Sequence, residues 1–387
     1  MVEVCLFTKS WRSGAAWVAQ QLAQGLAEAG AHVTFISPMA DPATREPKHE
    51  RVVRIFTPRE LVDAGSGRAA RIAATLKRIG RGAAALIAQR LKARNYIFSI
   101  PEPLPFTLPL FALLRLTGAR IIFIVHDAIP NHAWRFGSRL GAIERWGHRL
   151  SYLLASRLVV MTPQLKQTLT KTFRIAPEKI AVIPHGPFIL NSVPPLPGRG
   201  ALLQFGAIRR NKSVADVIKA VLLARKSDPQ LSLVIAGQPH AFERDYWDEC
   251  KALIAQDPDG FMLKIGFIPD EELPALLAGI DAFVLAYREF DSQSGVGVLA
   301  ALNARPVIGT MSGGLSELFA EGMCGELIAE PVTPQAIADA ILLFRRRPVE
   351  EWRETSAAGA ERMRAASSWT SIGAAYLALI NNQPSAT

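Results

Sequence analysis

Residues 290–317 read FDSQSGVGVLAALNARPVIGTMSGGLSE, and the punctuation of this stretch sets the reading of the whole chain. Asp291 leads into a turn of small residues, Ser292-Gln293-Ser294-Gly295. An apolar, Ala-rich segment follows over 296–304, enough for about two and a half helical turns. Arg305-Pro306 ends it, Val307-Ile308-Gly309 reads as a short buried strand, and Ser312-Gly313-Gly314 makes a second turn before Leu315. Both turns feed helix N-termini, where free backbone N–H groups and the helix dipole favour an anion. Two such turns separated by one helix and one strand suggest a phosphate-bearing ligand. Ordinary loops of an α/β domain are the alternative.

Strand and helix patterns alternate on both sides of this stretch. Residues 2–8, 32–37, 95–100, 120–125, 157–161 and 180–183 read as strands, and 15–29 and 134–154 as helices. Thr162-Pro163 opens another helix, with Thr at the cap and Pro in the first turn. The proline-dense run 184–197 precedes Gly198-Arg199-Gly200 and marks the domain boundary. Beyond it the alternation starts afresh, with strands at 201–205, 231–236, 261–265 and 280–286, and helices at 214–224, 245–255, 270–277, 335–345 and 349–379. The expected fold class is α/β: two Rossmann-like α/β domains, residues 1–190 and 198–365, facing across a cleft. A C-terminal helix at 366–387 is expected to pack back on the first.

Composition narrows the partners. At 387 residues the chain exceeds one ordinary core. A net charge of +10 suits phosphates, nucleic acid or anionic lipid. Nucleic acid has charge alone in its favour, without aromatic interleaving or a reading motif. Cys5, Cys250 and Cys324 lie far apart, which argues against a zinc site or a disulfide framework and suits a reducing cytoplasm. The run Val2-Glu3-Val4-Cys5-Leu6-Phe7 lacks a basic leader, so no secretory signal is expected. Residues 104–125 are the greasiest, yet Pro105, Pro109, Arg115 and Arg120 make them a poor membrane span. Gly14 opens the first helix without a G-x-G-x-x-G fingerprint, and Ser37-Pro38 ends the second strand where an acid would bind ribose. Both features argue against a nicotinamide cofactor.

Residues 67–94 differ in character. Arg68, Arg71, Lys77, Arg78, Arg81, Arg90, Lys92 and Arg94 occur with no acidic residue between Asp63 and Glu102. Ile72, Leu76, Ile79, Ala83, Leu86 and Ile87 recur at helical spacing, on a face expected to lie opposite Arg71, Lys77, Arg78 and Arg81. Such a helix either covers its own core with the basic face in water or lies on an anionic membrane surface. Further on, residues 120–125 form a continuous β-branched and aromatic run, expected as a buried parallel strand, and end at His126-Asp127. Ligands bind at the carboxyl ends of parallel strands, so this pair is a candidate site. A His-Asp turn satisfied by local backbone bonds is the alternative.

The chain resembles the retaining glycosyltransferases of GT-B fold, family 4, over nearly its whole length. The pieces that carry the resemblance are FGAIRRNKS (205–213), APEKIAVIPHG (176–186), VHD (125–127) and the 290–317 stretch. The resemblance implies that Arg209 and Lys212, with Arg210 as a further cation, hold the diphosphate of a nucleotide-sugar. They would stabilise the charge that builds as the sugar leaves, with no metal and no other cofactor. It also implies phosphate contacts from Ser294, Gly295 and Val296, and donor-loop roles for Gly14, Gly206, Gly313, Gly314 and Glu317. His126 would stand beside the transferred sugar with Asp127 in support. The family's two paired acids fall on Asp291, a shortened acid, and on Leu299, which cannot contact a ribose hydroxyl. Members with S-Q-S-G-V at this point also tend to lack the second acid. Transfer in this family is thought to proceed on one face of the sugar, with the leaving phosphate oxygen taking the acceptor proton. His126 would then position and stabilise charge more than act as a base.

The expected function is that of a hexosyltransferase acting from a nucleotide-sugar donor onto a glycan or a polyprenyl-diphosphate-linked sugar. The setting implied is bacterial exopolysaccharide or cell-surface glycan synthesis, in the cytoplasm or peripherally on the inner face of the plasma membrane. Two other readings stay open: a non-catalytic nucleotide-sugar-binding protein, favoured by Leu299, and a GT-B epimerase. A phosphorylase would need a pyridoxal lysine that the sequence does not single out.

Overall fold

The computed structural model describes residues 2–10, 14–39, 49–59, 67–128, 138–190, 193–198, 200–240, 243–288, 290 and 292–382. Asp291 and the beginning of the helix expected at 134–154 lie outside them. The chain divides into two compact units, Met1–Gly186 with Ser367–Thr387, and Pro187–Ala366.

In the first unit β1 (Glu3–Thr8), α1 (Gly14–Glu28), β2 (His32–Pro38), β3 (Val52–Thr57), α2 (Arg68–Ala88) and β4 (Asn95–Ile100) follow in order. They continue into α3 (Leu104–Leu116), β5 (Arg120–Ile124), α4 (Ser138–Leu154), β6 (Arg157–Val160), α5 (Pro163–Phe173) and β7 (Ile180–Val182). The described strands form one 7-stranded parallel sheet, ordered β3-β2-β1-β4-β5-β6-β7. Residues of and after β5 explain its composition. Ile121, Phe123 and Val125 pack with Leu86, Phe111, Tyr152 and Leu165 on one face, while Ile122 and Ile124 pack with Leu22 and Leu26 on the other. A strand buried on both faces carries a continuous apolar run in place of an alternating one.

Two features of this unit depart from the sequence reading. The strand β3 was not anticipated: it is an edge strand interrupted by Arg54, whose guanidinium lies 4.4 Å from the Phe35 ring centroid and 5.0 Å from that of Phe56. In α2 the helix forms, but its faces are rotated from those expected. Arg78, assigned to the basic solvent face, is 3% exposed and its Nη1 meets Glu102 Oε1 at 2.6 Å. Ile72, Leu76 and Ile87, assigned to the core, are exposed, while Ile79 and Leu86 are buried. The buried arc runs through Arg78, Ile79, Gly82 and Leu86, and at roughly 100° per residue it leaves Ile72 and Leu76 outside it.

The second unit carries β8 (Ala201–Phe205), α6 (Val214–Ala224), β9 (Leu233–Gly237), α7 (Arg244–Ile254), β10 (Phe261–Ile265), α8 (Leu273–Ala278) and β11 (Ile280–Leu285). Then come α9 (Gly295–Leu302), β12 (Val307–Gly309), α10 (Gly314–Glu321), β13 (Gly325–Leu327), α11 (Pro334–Arg346) and α12 (Val349–Ala366). Its described strands form a 6-stranded parallel sheet, ordered β10-β9-β8-β11-β12-β13. Arg305, which closes the α9 turn, is one of the largest fully buried side chains. Its guanidinium donates to the carbonyls of Pro194 at 2.6 Å and Leu277 at 3.0 Å, and burial holds it down to about 10 despite Asp281.

The helix expected over 349–379 is broken. Ser368 accepts from Ser371 N–H at 3.0 Å in a capping box that starts α13 (Trp369–Asn381), which packs on α1 in the first unit. A Cβ on Gly25 of α1 would stand 2.1 Å from the Trp369 carbonyl oxygen, and one on Gly373 would stand 2.2 Å from that of Gly25. The absence of both side chains lets the two helix backbones touch. No helix among the described residues is long and apolar enough to cross a membrane.

Candidate active site

In the second unit the two sequence-predicted halves of the phosphate site converge. The turn after β8 begins at Gly206, whose φ of +99° is open to glycine at no steric cost. A Cβ there would stand 3.0 Å from Lys212 Nζ and 3.6 Å from Val296 Cγ2, so the lysine and the start of α9 meet over this glycine. Lys212 Nζ lies 5.4 Å from the Tyr287 ring centroid, and Ser294 Oγ lies 3.4 Å from Tyr287 Oη. Arg288 N–H donates to the Asn211 carbonyl at 3.1 Å, tying the segment after β11 to the turn after β8. Tyr287 was not singled out in the sequence. The available signal was its place two residues beyond the carboxyl end of a fully buried parallel strand.

Ser294 is the N-cap of α9. It is buried and accepts from the Gly297 N–H at 3.0 Å, so its oxygen serves the helix, and the N–H groups of Gly295 and Val296 stand ahead of it in the first turn. The second small-residue turn braces the first. Gly314 N–H donates to the Ser292 carbonyl at 2.9 Å, and Ser312 Oγ donates to the Phe290 carbonyl at 3.1 Å. The Gly314 donor is thereby spent within the protein. Gly313 is the N-cap of α10 and Glu317 lies in its first turn, where burial and the nearby Glu321 raise the Glu317 carboxyl to about 7.

The basic turn splits its charges. Arg209 and Lys212 are half-buried in the β8–α6 connection. Arg210, expected as a further phosphate cation, is engaged by α7: its guanidinium meets Asp245 at 2.8 Å and Glu249 at 3.3 Å and lies 4.7 Å from the Tyr246 ring centroid. Leu299 is 1% exposed and sits in the apolar core with Leu203, Phe283 and Val298. That position is a packing position in this chain.

In the first unit His126 follows β5, half-buried, with Nε2 3.3 Å from Ser99 Oγ at the carboxyl end of β4. Burial pushes it down to about 4. The Asp127 carboxylate acts in the other direction, and His185 adds to the lowering. His126 is therefore a neutral imidazole at physiological pH, able to give or take a hydrogen bond. His185 shares Nδ1 with the Gly186 carbonyl at 2.6 Å, which fixes the proton on that nitrogen. Its ring stacks 6.4 Å from Trp17, and burial lowers its proton affinity. Asp127 is exposed, and Gly14 is exposed at the first residue of α1. A cavity of about 830 Å³ opens beside His126, lined by the ends of β4 and β5 and by α3 and α4. Among the described residues no cluster of His, Cys, Asp and Glu is placed to hold a metal ion.

Comparisons with known proteins agree with this architecture. Residues 12–186 match the profile "Glycosyltransferase Family 4", and residues 199–345 match "Glycosyl transferases group 1". Glycogen synthase of Mycobacterium tuberculosis is 26% identical over 282 residues, covering 69% of this chain and 64% of the relative. The chain thus spans less than two thirds of that relative's length. Sucrose-phosphate synthase from Thermosynechococcus elongatus has a TM-score of 0.72 at 17% identity, over 98% of both chains. Anabaena HepE, solved in complex with UDP and glucose, also has a TM-score of 0.72 at 17% identity, over 99% of this chain and 100% of its own. The likeness to these two structures is one of fold, the pair of Rossmann-like α/β domains called GT-B.

Proposed function

We propose that the protein transfers a hexose from a nucleotide-sugar to a glycan or lipid-linked sugar, proceeding from the match of residues 12–186 to Glycosyltransferase Family 4 and of residues 199–345 to Glycosyl transferases group 1. The observation that carries this reading is the meeting of Lys212, Gly206 and the α9 N-terminus in the second unit. A diphosphate bound there would face a lysine ammonium, the Arg209 guanidinium, and the N–H groups of Gly295 and Val296. As the bond from the sugar's anomeric carbon to the diphosphate breaks, the leaving oxygens gain charge. A preset cluster of this kind stabilises them without reorganisation. The acceptor oxygen bonds to the anomeric carbon on the same face, and its proton passes to the leaving phosphate oxygen. Neutral His126 would hold a sugar hydroxyl, with Asp127 beside it, and Asp291 would serve the donor sugar. The UDP and glucose held by HepE support a nucleotide-sugar as the donor class.

The workplace proposed is an anionic membrane surface. Ile72, Leu76 and Ile87 of α2 and Leu91 beyond it are exposed, with Arg71, Lys77 and Arg81 exposed on the same helix. Each basic residue near anionic lipid adds on the order of 1 kcal/mol. Flotation with phosphatidylserine-containing liposomes tests this, and equal recovery of wild type and an Arg71/Lys77/Arg81→Glu variant overturns it. Donor hydrolysis tests the transferase. Arg209→Ala and Lys212→Ala are expected to abolish it, whereas wild type without turnover on any nucleotide-sugar favours a binding protein.

A further inference from the structure

The cavity beside His126 is lined mostly by apolar side chains and prolines, with Lys9, Glu102, Asp127, Glu144 and His148 also reaching it. Leu104, Leu108, Phe123, Val125, Trp146 and Tyr152 line it. Pro101, Pro103 and Pro105 line it as well, and proline contributes no N–H. Apart from Ser99, the hydroxyls within the lining are spent on backbone: Thr107 Oγ1 donates to the Glu102 carbonyl at 2.5 Å, Ser151 Oγ to the His148 carbonyl at 2.7 Å, and Tyr152 Oη to the Ala128 carbonyl at 3.1 Å. Tyr152 therefore offers its ring and not its hydroxyl. At the carboxyl ends of β4 and β5 the polar groups Ser99 and His126 gather, 3.3 Å apart. On α4 the apolar lining runs out to solvent through Ile143, 65% exposed, and Trp146, 62% exposed.

A site with polar groups gathered at one end and walls that are mostly apolar, interrupted by Glu144 and His148 on α4, fits an amphiphile. We infer that this cavity binds an aliphatic chain carried by the acceptor, with the accepting hydroxyl held at His126 and Ser99 and the chain running past Leu108 and Tyr152 toward Trp146 and Ile143. The inference rests on the transferase reading for the role of that hydroxyl, while the chain site stands on the cavity alone. About 830 Å³ falls in the ordinary range for a pocket that encloses a small ligand. Burying methylenes in such a site tightens binding with each carbon added.

The test uses n-hexyl, n-octyl and n-decyl β-glucosides and 1-octanol below their aggregation limits, with methyl β-glucoside as control, in titration calorimetry of the whole protein. Saturable one-to-one binding is expected, tightening about fourfold per added methylene, the equivalent of ~0.8 kcal/mol, with methyl β-glucoside far weaker than the alkyl series. Trp146→Ala and Ile143→Ser, both on the exposed rim, should weaken octyl glucoside at least severalfold, and Leu108→Trp, which fills the cavity, should abolish it. Met262→Ser, on the exposed side of the edge strand β10 in the second unit, should leave it unchanged. Non-saturable uptake, equal binding of methyl and octyl glucosides, or octyl binding insensitive to Trp146→Ala would each overturn the inference. Nucleotide-sugar binding measured in parallel separates the two claims. Alkyl binding without nucleotide binding sinks the transferase reading alone, and the converse sinks the chain site alone.

Discussion

Lys212 holds its ammonium 5.4 Å from the centroid of the Tyr287 ring, beside the glycine that begins the β8–α6 turn. The ring fixes the lysine without cancelling its charge, in contrast to Arg210, whose charge is met by two α7 carboxylates. Lys212→Ala is expected to weaken donor binding by about 1.5–3 kcal/mol, roughly 10- to 150-fold. Arg210→Ala is expected to change it by less than about threefold. Equal losses from the two in a titration with the donor would show that the turn does not partition its cations in this way.

Arg78 and Glu102 are a buried ion pair reaching from α2 to the segment after β4. Removing one partner takes a buried charged hydrogen bond from the other, so Glu102→Ala is expected to destabilise the first unit by about 1–3 kcal/mol. Arg78→Met with Glu102→Met should recover much of that loss. Urea unfolding checks both, and a Glu102→Ala midpoint within error of wild type would show that the pair carries no such penalty.

Leu299 tests the meaning of the missing acid. Leu299→Ala should cost about 2–5 kcal/mol by opening a cavity in the core. Leu299→Glu should cost more at pH 8 than at pH 5, because a buried carboxylate must be desolvated while the protonated acid need not be. A stable Leu299→Glu protein with tighter nucleotide-sugar binding would show that the position faces ligand.

His126 sets a pH signature. Its folded value of about 4 lies below the ordinary 6.5, so the unfolded chain takes up a proton that the folded protein refuses. Stability from this group is complete above pH 6.5 and is lost as pH falls through about 4. Histidine chemical shifts followed by NMR should show an imidazole still neutral at pH 5.5. Between pH 7 and 4.5, His126→Gln should lose less stability than wild type. Titration of His126 near 6.5 would contradict its burial.

What the sequence made legible follows from how much of the physics is local. The run at 121–125 announces a buried parallel strand because every residue in it must be apolar on both faces of the sheet. Thr162-Pro163 announces the start of α5 because cap and first turn are adjacent in the chain, and Thr162 Oγ1 duly accepts from the Leu165 N–H at 3.0 Å. The orientation of α2 was illegible because periodicity reveals a stripe but not what covers it. The partner that draws Arg78 inward is Glu102, 24 residues away. β13, Gly325–Leu327, carries no apolar run, because Gly325 and Glu326 precede its one apolar residue, whereas β12 of equal length reads Val-Ile-Gly. In the phosphate site, Gly206 and Lys212 came from a motif, whereas Tyr287 belongs to a neighbouring strand and meets them only in the fold. The second turn, expected to offer its own anion site, spends the Gly314 N–H on Ser292. Its spacing in sequence could not reveal that use.

The second unit is expected to bind a nucleotide-sugar through Lys212, Arg209 and the N-terminus of α9. The most direct measurement is thermal unfolding of wild type and Lys212→Ala against a panel of UDP-, GDP-, ADP- and dTDP-sugars. At least one should stabilise wild type by about 2.7 kcal/mol at 100 times its dissociation constant, with most of that gain lost in Lys212→Ala at the same ligand concentration. No stabilisation by any of them, or the same stabilisation in both proteins, would contradict the account.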